Sequence, residues 1–134
     1  MWGNLVTWRS KKQTVVSPSS TEAELRAVNK GVCEGLWIMR LLKELGIQFE
    51  GPIQLWCDNK SSIEMVKNPI YHDRTKHVDI DRHFIKEKIE AGIMTLSHIR
   101  SANQIADILT KPLGRTKFEV FRGKLGMIDI YSPA

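Results

Sequence analysis

Several things are scarce in this chain, and each scarcity removes a class of explanation. No apolar run approaches the roughly 18 residues that cross a bilayer, so no membrane role is expected. The opening MWGNLVTWRSKK lacks the apolar core of a secretory leader. The two cysteines, Cys33 and Cys57, are far apart and form no CxxC pair. That excludes a disulfide framework and reads as two reduced core thiols. The five prolines are scattered singly, and there is no internal repeat or low-complexity segment. Residues 1 to 21 hold no acid at all, and Glu22 is the first. The expectation is an intracellular protein, cytoplasmic or nuclear and not secreted, with residues 1–134 forming a single domain.

What is present is globular in kind: 42% hydrophobic and 26% charged residues. The net charge of +5 and pI near 9.4 permit an anionic partner such as nucleic acid without requiring one. Residues 4 to 9, NLVTWR, read as a strand, with Val15-Val16 extending it or pairing nearby. Ser19 with Glu22, and Thr21 with Glu24, offer capping boxes for a long helix that runs to about Leu45 and closes at Gly46. IQLWCD, residues 53 to 58, has apolar side chains in both alternating sets, as in a central strand covered by helices. A short helix is expected over 59 to 67, a polar loop over NPIYHDRTKH, and a second long helix over 78 to 90 with Val78, Ile85 and Ile89 inward. IMTLSHI, residues 93 to 99, is a further strand. Ser101, with Gln104 as capping partner, starts a short helix carrying Ile105, Ile108 and Leu109 and ending at Pro112. A last helix holds Phe118, Phe121 and Leu125. This alternation argues for α/β with parallel pairing.

Glu22 and Glu24 occupy the same first turn but not the same face. At about 100° per residue, Glu24 lines up with Val28, Gly31, Gly35, Ile38 and Leu42, the apolar stripe. Glu22 falls with Arg26, Asn29, Cys33 and Arg40 on the wet side, an ordinary carboxylate favoured by the helix dipole. A carboxylate aimed at the sheet needs a partner. The plain reading is a helix cap or a lysine pair. Two further acids favour another reading: Asp58 ends a buried strand, and Asp107 sits just after the next strand. The carboxyl ends of parallel strands are where α/β folds place their sites, and converging carboxylates suit Mg²⁺ or Mn²⁺.

The stretches STEAELRAV, WCDN, KHVDIDRHFIKEKI and ANQIADILTKPL, in that order and preceded by WRSKKQTVVSPSS, resemble the ribonuclease H domain of copia-type LTR retrotransposon polyproteins. The similarity runs over about residues 3 to 128. The resemblance implies a ribonuclease H-like fold, a mixed sheet flanked by helices. It implies endonucleolytic hydrolysis of RNA in RNA/DNA hybrids by two divalent ions about 3.5–4 Å apart. Carried over, the family's helix glutamate is Glu24, its strand aspartate Asp58 and its last-helix aspartate Asp107. The family's first aspartate lies on a strand upstream of the WRSKKQ strand, so the domain is expected to lack the first two strands and that ligand.

Weak Mg²⁺ or Mn²⁺ binding and impaired cleavage follow from a three-acid set. The rival expectation is a non-catalytic, element-derived module that binds nucleic acid or protein, as a homodimer through exposed sheet edges. Three histidines, His72, His77 and His83, suggest zinc only if short-spaced cysteines accompany them, and only Cys57 is near. His77 and Asp81 are placed to pair across one helical turn. Trp8 and Trp56 suit base stacking, although burial is the commoner fate of strand tryptophans. Arg9, Lys11, Lys12, Arg74, Lys76, Lys111, Arg115 and Lys117 read either as phosphate contacts or as solvated surface charge.

Overall fold

The structure, a computed structural model, describes Trp8, Ser10, residues 19–68, residues 76–128 and Tyr131, with the backbone alone at 76 and 77. Apart from Trp8, the strand expected at residues 4 to 9 lies outside the described residues, as do Val15-Val16 and most of the loop with His72 and Arg74. The chain forms two compact units, Val15–Ser101 and a second from Met1–Thr14 with Ala102–Ala134.

The first unit runs α1 (Ser20–Glu44), β1 (Ile53–Cys57), α2 (Lys60–Lys67), α3 (Lys76–Glu90) and β2 (Met94–His98). Ser19 caps α1, its Oγ accepting from the Glu22 N–H at 3.2 Å. At the other end Gly46 has φ 73°, and the Ile47 N–H reaches back to the Leu42 carbonyl at 2.9 Å. A left-handed residue is needed for that closure, and glycine takes it without a Cβ clash. The strands pair in parallel, with Ile53 opposite Met94, Leu55 opposite Leu96 and Cys57 opposite His98. A parallel pair cannot be joined by a tight turn, and α2 and α3 supply the crossover. Leu25, Val32, Met65, Val66, Val78, Ile85 and Met94 form the core beneath. The expected α/β class, parallel pairing and long helices are all present. Among the described residues no helix is long and apolar enough to cross a membrane.

Several expectations need correction. First, β1 is not covered on both faces: Gln54 is exposed and Trp56 is 54% exposed, so only Ile53, Leu55 and Cys57 point inward. Trp8 is also exposed rather than buried in the core. Tryptophan's large surface and polar N–H make it a poor marker of full burial. Second, Glu22 is buried, not wet. α1 packs on α2, α3 and β1, so its buried sector is wider than the apolar stripe alone suggests. Third, Cys33 is exposed and is no core thiol, because helix geometry sets it with Arg40 on the solvent side. Fourth, the short helix expected from Ser101 is split into two 3-10 turns, Ser101–Asn103 and Ile105–Leu109. So short a segment, with Pro112 just beyond it, is suited to the tighter i to i+3 bonding seen from Asp107 N–H to the Gln104 carbonyl at 3.2 Å. The loop before α3 is also shorter than expected, because Lys76 and His77 already belong to the helix.

In the second unit α4 (Arg115–Lys124) packs on the Ile105–Leu109 turn. Phe121 is buried beneath Lys117 and Lys124, whose ammonium groups lie 5.1 and 5.9 Å from its ring centre. Phe118, expected inward, is 40% exposed.

Candidate metal centre at the end of β1

Asp58 follows the last residue of β1, and the chain then turns at once into α2. Asn59 makes that turn possible: its side chain accepts from the Ser62 N–H at 3.1 Å and caps the helix. Ser62 is fully buried, and its hydroxyl donates to the Thr21 carbonyl at 3.0 Å. That bond ties the first turn of α2 to the first turn of α1, the turn that carries Glu24. Gly35 lets α1 lie close over Ile53 of β1. Both devices bring Glu24 to the carboxyl end of the strand, as its place on the apolar stripe predicts.

The result is a cluster of Glu24, Cys57 and Asp58, with one ligand atom from each lying within 4.8 Å of the others. The Cys57 thiol donates to Glu24 Oε1 at 3.6 Å and accepts from the Asn59 N–H at 3.4 Å. Burial pushes this thiol up to about 11, the Asn59 backbone opposes the rise, and the negative charge of Glu24 adds to it. At neutral pH Cys57 is therefore a neutral thiol, a donor to carboxylate rather than a thiolate ligand. The anionic donors are the two carboxylates, and hard oxygen donors of this kind fit Mg²⁺ or Mn²⁺ better than a soft metal. A cavity of about 170 Å³ adjoins the cluster, lined by Glu24, Val28, Gly31, Leu55, Trp56 and Leu96 among others. Cys57 met its expectation as a buried thiol; its contact with Glu24 was not anticipated, although it immediately precedes Asp58 on the inward set of the strand.

Asp107 belongs to the second unit. There it is buried, and its carboxylate is paired with Lys111 Nζ at 2.9 Å.

The chain is 43% identical over 93% of its length to the Retrovirus-related Pol polyprotein from transposon RE2 of Arabidopsis thaliana. Over the same share it is 44% identical to the Pol polyprotein from transposon RE1 of that plant, and 38% identical to the one from transposon TNT 1-94 of Nicotiana tabacum. This chain is similar to a segment of transposon Pol polyproteins. It spans only 9%, 8% and 9% of those three relatives. No protein-family model and no solved structure matches it significantly.

Other side chains fall into structural roles. Arg82, not singled out in the sequence, is buried; its guanidinium donates to Asp79 at 3.2 Å and to the Asn68 carbonyl at 3.4 Å. Asp81 accepts from the Asn29 side chain, which joins α3 to α1. The His77 side chain expected beside Asp81 lies outside the described residues. His83 is exposed, and among the described residues it belongs to no metal-ligating group.

Proposed function

We propose that this chain is a ribonuclease H-like domain derived from a copia-type retroelement, with Glu24, Asp58 and Asp107 as ligands for Mg²⁺ or Mn²⁺ and an RNA/DNA hybrid as substrate. One observation carries the reading: two acids from separate elements, Glu24 and Asp58, meet at the carboxyl end of a parallel strand. The similarity to Pol polyproteins supplies the biological setting. Divalent ions, when bound, would supply Lewis-acid assistance to the attacking water and to the leaving oxygen of the scissile phosphate. Glu24 and Asp58 would hold the ions, the Cys57 thiol donates to the Glu24 carboxylate and orients it, and the capped start of α2 fixes Asp58. The basic balance of the chain favours the polyanionic substrate.

Three acids of this chain, Glu24, Asp58 and Asp107, match ligand positions of the family it resembles. A three-acid set holds two ions less firmly than four and is expected to cleave weakly. A non-catalytic module that retains nucleic-acid or protein binding is the second reading, favoured by the basic balance of the chain. The test is cleavage of a labelled RNA/DNA hybrid with Mg²⁺ or Mn²⁺, beside Asp58→Asn. Cleavage lost in the variant supports the nuclease reading. A folded chain that binds the hybrid without cutting it supports the second.

A further inference from the structure

The outer face of α1 carries a second pattern that the candidate metal centre does not use. Lys30, Glu34, Trp37, Leu41 and Glu44 follow the 3-4 spacing of a helical seam on the side away from the core. Trp37 is 58% exposed and Leu41 38% exposed, large apolar side chains at the middle of the helix with charges toward both ends. Arg40 and Glu44 are exposed beside them and bridge each other at 3.2 Å.

The charges select an occupant. In two antiparallel copies of α1 crossing at Trp37, each Trp37 meets its counterpart. Lys30 then stands level with Glu44 of the other copy, and Glu34 with its Arg40, each twice by symmetry. Every charged pair is of opposite sign. Shifting the register toward the C-terminus, so that Trp37 meets Leu41, sets Glu34 against Glu44. Shifting it the other way leaves Lys30 and Glu34 facing Leu41 and Trp37. A parallel pairing puts like on like throughout. Of these arrangements, the register centred on Trp37 is the one that satisfies both the apolar middle and the charged ends.

We infer that α1 is a self-complementary docking face, on which a second copy of this chain binds antiparallel through Trp37 and Leu41, with Lys30 and Glu44 fixing the register. This surface is separate from the sheet edges, and the inference does not depend on the nuclease reading. The exposed charges set orientation and register, and the apolar centre supplies most of the affinity.

The test is sedimentation equilibrium of the full chain over a concentration series, with Lys30→Glu, Glu44→Lys and the double variant. All the altered side chains are exposed, and circular dichroism confirms that each variant folds. The wild type is expected to dimerise reversibly. Each single variant should weaken dimerisation roughly tenfold or more, since two attractive pairs become two repulsive ones. The double variant should recover it, and mixing the two single variants should yield a heterodimer. Four outcomes overturn the inference: a wild type that stays monomeric, single variants that dimerise as well as the wild type, no recovery in the double variant, or no heterodimer on mixing.

Discussion

Gly35 of α1 lies so close to β1 that a Cβ built on it would stand 3.0 Å from Ile53 Cδ1, whereas one on Gly31 would stand 3.8 Å from Leu55 Cδ2. The two glycines therefore answer substitution differently. Gly31→Ala removes helix-destabilising glycine where there is room, and is expected to be neutral or stabilising by up to about 1 kcal/mol. Gly35→Leu forces a large side chain into a filled contact and is expected to cost about 1–3 kcal/mol. Urea unfolding midpoints measure both. Equal midpoints for Gly35→Leu and the parent would mean that α1 does not press on β1 at this point.

Ser62→Ala should cost about 1–3 kcal/mol, because it leaves the Thr21 carbonyl without its buried donor. Amide exchange in the first turn of α1 should quicken in the same variant. A variant as stable as the parent, with unchanged exchange, would show that the α1–α2 tie contributes nothing.

The two thiols should react in two phases with an aromatic disulfide reagent at mildly alkaline pH. Exposed Cys33 reacts first, and buried Cys57 reacts only as the chain opens. The raised Cys57 thiol also links to stability. Between its ordinary value of 9.0 and about 11 the unfolded chain has lost this proton while the folded chain keeps it. Unfolding then releases a proton, so the contribution of this group falls as pH rises through that window. Measured with a chelator present, the parent should lose more stability than Cys57→Ala between those pH values. Parallel curves would remove Cys57 as the source.

Divalent ions should raise the melting temperature of the parent, with Mn²⁺ as a sensitive probe. Glu24→Gln and Asp58→Asn should each abolish the rise. Asp107→Asn should reduce it, because the proposed site includes that acid. A rise that persists in both Glu24→Gln and Asp58→Asn would place the ion elsewhere.

The residues that announce local events were readable without the structure. Ser19 and Gly46 fixed the ends of α1, and the position of Glu24 on the apolar stripe foretold that it would reach the sheet. Asp58 was legible as the residue closing an apolar run. What escaped was whatever depends on several elements at once. The burial of Glu22 follows from α1 touching three neighbours, which no single-helix projection contains. The exposure of Trp56 depends on which face of β1 the helices choose. The link between Cys57 and Glu24 requires two segments more than thirty residues apart to meet. Conversely, Cys33 was misread against its own helical position, where the angular argument already put it in solvent.

The parallel pairing of Ile53 with Met94 has a kinetic consequence. Roughly 40 residues, including all of α2 and α3, lie between these partners, so the loop-closing entropy must be met before the ladder can form. Helical turns close without such a loop, so they are expected to form before the sheet. Glu24 and Asp58 lie on separate elements and are expected to become neighbours only late in folding. An ion that needs both carboxylates has no foothold before then, so its binding should slow unfolding while leaving the refolding rate almost unchanged.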